Sequence, residues 1–341
     1  MEAILVQFAV AAAVVIVAGS MLARAAEHLA EVTGYGRLLV GSILLAGATS
    51  LPELAVDVSA VRAGLDDVAV GDLLGSSLFN LLILAIADLC HARRGAMLTP
   101  LSRDHALSGM LAVLLPAVAG LLILLRIDAH ASWSWGGIGF GSVAIAGCYL
   151  LGVRLVFRDQ QVRAAVRPTS GSSSAPRTPA NRPMLAPIAR FAAATAAIFV
   201  AAPFVAEAAG DLAEISGLGE TFVGTTLVAA STSLPELVAT IVAVRIGSFD
   251  LAVGNIFGSN AFNMAMILPI DLFSEGPLLA SISPAHATTA FWVVATTSVT
   301  IMSLLYEQPG RRRLLDPGAA LVIALVALAL LSLRWTGSAA T

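Results

Sequence analysis

The chain contains no lysine: all 19 of its basic residues are arginine. Charged residues of either sign make up only 12% of the 341. A soluble domain carries about 25%, so a fully hydrated globular surface is excluded. Cysteine is nearly absent, and the two present, Cys90 and Cys148, lie in or near apolar stretches. They form neither a disulfide framework nor a zinc-ligand spacing. Short segments of alternating hydrophobicity, the mark of a membrane β-barrel, are also missing. No basic residue precedes the first apolar run, which opens with Glu2. A secretory signal needs a positive start, so that run reads as a membrane span.

What the chain has in place of charge is apolar length. Apolar residues make up 58% of it and the mean hydropathy is +0.89. They come in runs of about 20, the number a helix needs to cross the hydrocarbon core. The pattern predicts ten transmembrane helices, at 3–23, 38–61, 68–90, 105–125, 137–157, 187–209, 222–245, 251–272, 286–306 and 317–335. One long polar segment, 158–186, contains RPTSGSSSAPRTPANRP. Its Ser, Pro and Arg cannot build a core, so it reads as a cytoplasmic linker between a five-helix half at 1–157 and another at 187–341. Cytoplasmic loops carry the basic excess in membrane proteins. With both termini outside, only Arg62, Arg126 and Arg334 fall on the outer side. The expected location is therefore an inner or plasma membrane, multi-pass, with the N- and C-termini outside.

The two halves repeat. At an offset of 183 residues, Leu29 to Asn80 matches Leu212 to Asn263 at about half its positions without a gap. The matches include Arg62 with Arg245, Gly64 with Gly247, Asp67 with Asp250, Gly71 with Gly254 and Gly75 with Gly258. Shared hydrophobicity would align Leu, Ala and Val, not Gly, Pro, Glu, Asp and Asn, so the chain is a duplication. Equivalent spans are five apart, an odd number, so each copy enters the membrane from the opposite side. The predicted fold class is an all-α membrane protein of ten transmembrane helices in two inverted five-helix repeats. Such repeats are a transporter architecture, with the substrate site near the midplane where the copies meet.

The densest match is the pentapeptide TSLPE, at Thr49 to Glu53 and again at Thr232 to Glu236. Pro52 has no N–H for the carbonyl of Ala48, which should leave backbone oxygens free near Ala46 to Ala48. Pro235 should do the same near Ala229. Such backbone is tolerated at membrane depth only where it is buried in protein or lines a cavity. Thr49, Ser50, Thr232 and Ser233 add hydroxyls, and Glu53 and Glu236 add carboxylates. An intramembrane carboxylate reads as functional by default. On the next spans Asp72, Ser76 and Asn80 form one stripe, and Asn255, Ser259 and Asn263 the matching one. The set is all oxygen, which suits Na⁺, Ca²⁺ or H⁺ better than Zn²⁺ or Cu⁺. Plainer readings exist for several members. Ser76 and Ser259 can bond the carbonyl one turn back, and Asn80 and Asn263 can simply tie helices together. Asp57 and Asp72 lack acidic counterparts and are left open between pathway and structural roles. Asp88 and Asp271 read as capping or solvated residues at span ends.

GATSLPEL with GDLLGSSLFN, and ASTSLPEL with GNIFGSNAFN, resemble the two α-repeats of the cation/Ca²⁺ exchanger superfamily. The likeness is closest to the ten-helix prokaryotic Na⁺/Ca²⁺ exchanger type. The resemblance implies that Glu53 and Glu236 are the central Ca²⁺ carboxylates. It implies oxygen ligands at Thr49, Ser50, Ser76, Thr232, Ser233 and Ser259, at Asn80 and Asn263, and at the backbone near Ala46 and Ala229. Ala48 and Ser231 stand where the family has Gly. Asn263 stands where some sodium-coupled members have a carboxylate, so the centre is expected to hold two formal charges. Ser77 replaces the Asn found at Asn260.

The resulting expectation is a secondary antiporter, not an enzyme, exchanging Ca²⁺ for Na⁺ by alternating access. Ca²⁺/H⁺ exchange is the alternative within the same fold. No cofactor is expected; the partners are the transported ions and the lipid bilayer, not nucleic acid, and a monomer suffices for the site. An intramembrane aspartyl protease fits poorly, since Asp72 lacks the full Gly-x-Gly-Asp context and its repeat mate is Asn255. A passive channel would conduct without a counter-ion.

Overall fold

The structure, a computed structural model, describes residues 1–91, 102–130, 137–166, 184–215, 229–305 and 317–338, and every regular element among them is helical. The elements are α1 Glu2–Thr33, α2 Arg37–Arg62, α3 Asp66–His91, α4 Ser102–Leu125 and α5 Phe140–Val166. The second half supplies α6 Leu185–Ile215, α7 Leu234–Arg245, α8 Phe249–Asp271, α9 Ala285–Leu305 and α10 Pro317–Ser338. Among the described residues eight of these are long and apolar enough to span a membrane; α10 offers a shorter apolar stretch, Pro317–Ser332. The seventh predicted span is the exception. Residues 222–228 lie outside the described residues. Residues 229–232 form a helical turn, which breaks at Ser233 and leads into the 12-residue α7.

Three helices outrun their predicted spans. The first continues to Thr33, the fifth to Val166 and the sixth to Ile215. Hydropathy measures the membrane's thickness, whereas a helix ends where its backbone finds a cap. The α1 helix stops at Gly34, which turns left-handed at φ 72° and donates its N–H to Ala30 O. The first residues of the predicted linker, 158–166, are thus helical, and 167–183 lie outside the described residues.

The inversion is visible in the pairing of α3 with α8. Asn263 Nδ2 donates to Leu73 O at 3.4 Å, and Asn80 Nδ2 to Asn260 Oδ1 at 3.0 Å. One number falls as the other rises, so the equivalent helices run antiparallel. The turns after α2 and α7 also repeat atom for atom. Leu65 N–H donates to Ala60 O (2.9 Å) and Ser248 N–H to Ala243 O (2.8 Å), around Gly64 and Gly247 at φ 76° and 78°. This is the glycine-dependent helix ending that only a residue without Cβ adopts cheaply. Each copy then ties its next helix to the other half through an Asp–His pair. Asp67 meets His286 at 2.9 Å and Asp250 meets His105 at 2.8 Å.

Burial separates centre from rim. The most apolar window of α8 is 83% buried and that of α3 is 67%, against 22% for α1 and α5 and 28% for α6. The central helices are rich in small residues, which lets backbones touch. A Cβ on Gly41 would lie 2.7 Å from Leu251 O, and one on Gly254 2.8 Å from Leu38 O. Gly71, the repeat mate of Gly254, has more room, 3.4 Å to His286 Cε1. An apolar groove of about 490 Å³ lies between α1 and α6, lined by Val10, Val14, Val17, Met21, Ala193 and Ala197, with no acidic residue in its lining.

Candidate cation site

The two TSLPE copies differ in backbone: the first lies in an unbroken α-helix despite Pro52, and only the second is interrupted. In the first, residues Val40–Leu45 widen into a π-helix and the α-helix resumes through Pro52. In the second, the chain turns at Ser233 and Pro235 sits in the first turn of α7. A proline there loses no hydrogen bond the helix needs, and π-turns are common at functional sites. The backbone oxygens expected to be free are not all free. Thr49 Oγ1 lies 3.1 Å from both Leu45 O and Ala46 O, and Thr232 Oγ1 donates to Ala229 O at 3.0 Å. Ala229 O also accepts the Ser233 N–H at 3.1 Å. The threonine hydroxyls reach back one turn to Ala46 O and Ala229 O, two of the backbone oxygens expected to be free; the carbonyl that Pro52 itself leaves without an N–H is that of Ala48.

The predicted side chains do converge. Thr49, Ser50, Glu53, Ser76, Asn80, Thr232, Ser233, Glu236, Ser259 and Asn263 are all at most 1% exposed, as is Ala46 at 0%, with Ala229 at 4%. Reciprocal contacts cross between halves. Thr49 Oγ1 lies 3.5 Å from Asn255 Oδ1, and Thr232 Oγ1 lies 3.4 Å from Asp72 Oδ1. Ser76 Oγ is 3.5 Å from Thr232 Oγ1. Neither Ser76 nor Ser259 bonds the carbonyl behind it; Ser77 does, to Leu73 O at 2.9 Å. The two glutamates are unequal. Ser50 Oγ donates to Glu236 Oε1 at 3.0 Å, while both oxygens of Glu53 and the hydroxyl of Ser233 have no hydrogen-bond partner.

The centre is more acidic than expected. Asp57 and Asp72 are buried and their carboxyls meet between α2 and α3, with Glu53 in electrostatic reach of both and of Glu236. The sequence counted the two glutamates as the carboxylates of the centre and left Asp57 and Asp72 open; in the structure four carboxyl groups lie near one another. At the equivalent place in the second half stands a neutral pair, with Asn255 Nδ2 donating to Thr240 Oγ1 at 3.3 Å. Sequence held one signal for Asp57, its one-turn spacing from Glu53; for Asp72 the signal was its stripe with Ser76 and Asn80. Contacts between acidic and basic side chains at helix ends include Arg37 with Glu27 and Glu31, and the two Asp–His pairs. Asp271, read from sequence as a capping residue, accepts the N–H groups of Gly139 (2.8 Å) and Leu278 (2.6 Å).

Buried oxygens without donors are the chemical character of this centre. Beyond Glu53 they include Glu236 Oε2, Ser259 Oγ, Asn80 Oδ1 and Asn263 Oδ1. A buried acceptor costs free energy unless something positive meets it. Among the described residues no three His, Cys, Asp or Glu side chains form a compact metal cage. A cation here would therefore draw on hydroxyl and amide oxygens as well as carboxylates, as hard cations do. The Nδ2 groups of Asn80 and Asn263 tie α3 to α8, and their Oδ1 atoms are left without a donor.

The chain matches known proteins over most of its length. The family model described as sodium/calcium exchanger protein matches residues 3–155 and 186–335. The inner membrane protein YrbG of Escherichia coli is 31% identical over 312 residues, covering 87% of this chain and 88% of that protein. The sodium/calcium exchanger MaX1 of Methanosarcina acetivorans is 26% identical over 316 residues, covering 84% and 86%. The solved sodium-calcium exchanger NCX_Mj superposes with a TM-score of 0.71 at 19% identity, over 98% of this chain and all of that one. With its inverted helices, buried carboxylates and near end-to-end match, this chain belongs to the sodium/calcium exchanger protein family, a membrane transporter of the cation/Ca²⁺ exchange class rather than an enzyme.

Proposed function

We propose that the protein exchanges Ca²⁺ for Na⁺ across the membrane by alternating access, with both ions using one central site in turn. The carrying observation is that Glu53 and Glu236, from inverted copies, are fully buried within electrostatic reach of each other, and that both Glu53 oxygens and Glu236 Oε2 lack a donor. In this reading the two carboxylates are the principal ligands. Thr49, Ser50, Thr232, Ser233, Ser76 and Ser259 contribute hydroxyls, Asn80 and Asn263 amide oxygens, and the backbone at Ala46 and Ala229 positions the threonines. Two inverted halves, 1–157 and 187–341, joined by the cytoplasmic linker 158–186, let the two membrane faces exchange roles. Both termini lie outside, which keeps most arginines on the cytoplasmic side. Four neighbouring carboxyl groups support Ca²⁺/H⁺ exchange as the second reading.

The test is ion flux in proteoliposomes loaded with Ca²⁺, with the membrane potential clamped and either a Na⁺ or a pH gradient imposed. Na⁺-driven flux is expected. Glu53→Gln or Glu236→Gln lowers it at least about 100-fold, as about 3 kcal/mol of lost ion binding would at about 1.4 kcal/mol per decade. Undiminished flux in a folded mutant removes the site assignment. Flux that follows only the pH gradient replaces Na⁺ with H⁺.

A further inference from the structure

Asn260 and Ser77 occupy equivalent places in the two halves, 183 residues apart, and they touch each other. Only positions on a pseudo-two-fold axis can meet their own repeat mates, so this pair marks the axis between α3 and α8. The pair is not symmetric. Asn260 is 1% exposed; its Nδ2 donates to Ser77 O at 3.1 Å and its Oδ1 accepts from Asn80 Nδ2 at 3.0 Å.

The polarity of this chain of hydrogen bonds is set by one group. A backbone carbonyl can only accept, so Asn260 must present its Nδ2 to Ser77 O. Its Oδ1 is then turned to Asn80, which must answer with its own Nδ2. Asn80 Oδ1 is left as a buried acceptor with no protein donor. The second half reaches the same result by a shorter route: Asn263 Nδ2 donates directly to Leu73 O, leaving Asn263 Oδ1 without a donor. Ser77 does not relay to Asn263: its hydroxyl donates to Leu73 O, and Asn263 Nδ2 goes to that same carbonyl.

We propose that Asn260 is a positioning residue for the cation site: it relays the polarity of the Ser77 carbonyl to Asn80 and so fixes the Asn80 amide with its oxygen available to the transported cation. This rests on the reading of Asn80 as a cation ligand. Without the relay the Asn80 amide can rotate and offer N–H in place of oxygen, which repels a cation.

The experiment is Na⁺-driven Ca²⁺ exchange in proteoliposomes, comparing wild type, Asn260→Ser and the swap Ser77→Asn with Asn260→Ser. The single variant is expected to raise the Ca²⁺ concentration for half-maximal exchange about tenfold, the effect of one lost polar contact, with the maximal rate changed by less than about twofold. The swap rebuilds the amide relay from the other side of the axis and is expected to recover most of the affinity. A packing role alone would lower the amount of folded protein or the maximal rate without moving the half-saturating concentration, and the swap would not rescue it; either result overturns the proposal. Asn260→Thr, which keeps more side-chain volume but lacks the fixed donor–acceptor pair, serves if the serine variant does not fold, with the same expected shift. Glu53→Gln is measured alongside. If it still transports, the site reading itself fails; if it is inactive while Asn260→Ser retains wild-type affinity, only the relay fails.

Discussion

Ser50 and Ser233 are the same letter of the same motif, yet their surroundings differ, and that difference gives a sharp test. Ser50 Oγ donates to Glu236 Oε1 at 3.0 Å, and both residues are fully buried. Ser233 Oγ, 1% exposed, has no partner. Removing the Ser50 hydroxyl leaves a desolvated carboxyl oxygen without its donor. A neutral interhelical pair in a membrane contributes about 0.6 kcal/mol and a hydrogen bond to a charged group about 1.5–3 kcal/mol. Ser50→Ala is therefore expected to destabilise the Ca²⁺-free protein by about 1–2 kcal/mol. Ser233→Ala removes a buried hydroxyl that already lacks a partner, so it should be neutral or slightly stabilising. Reversible unfolding in mixed detergent micelles without Ca²⁺ measures both. The same variants titrated with Ca²⁺ should both bind more weakly, since each deletes a hydroxyl of the proposed ligand set. Equal losses of stability in the two variants, or a larger loss for Ser233→Ala, would refute the asymmetry between the glutamates.

Two further outcomes concern packing and charge outside the site. A Cβ on Gly258 would fall inside the backbone of Ser42, whereas one on Gly47 meets nothing within 4 Å. Gly258→Ala should cost about 1–3 kcal/mol, as overpacking against rigid backbone does, while Gly47→Ala should gain up to about 1 kcal/mol of helix propensity; thermal unfolding in detergent separates them. Burial pushes the Asp128 carboxyl above its ordinary value, with nearby Asp271 adding to the rise and the Gly141 N–H opposing it. The fold then holds that proton more tightly than the unfolded chain does, so the stability linked to Asp128 is present at low pH and declines as pH rises past the ordinary carboxylate range. Asp128→Asn should flatten this decline in a pH series of unfolding measurements, and an unchanged profile would remove the effect.

Much of the architecture was legible in the letters. Apolar length set the spans, and repeated Gly, Pro, Glu and Asn revealed the duplication. An odd number of spans between copies required the inversion that α3 and α8 display. These are local or countable properties, so a single chain carries them openly. That the polar TSLPE residues of both copies would be buried rather than face lipid was legible for the same reason. Helix ends were less so, because the first, fifth and sixth helices continue past their apolar runs, and the break at Ser233 was invisible to hydropathy. What only the tertiary structure decided is which donor faces which acceptor. Ser50 but not Ser233 reaches a glutamate, Asp57 meets Asp72 where Thr240 meets Asn255, and Asn260 sits on the axis and bonds its own repeat mate. Those choices depend on the rotation and depth of helices from opposite halves, brought together across about half the chain, and no periodicity within one segment encodes them.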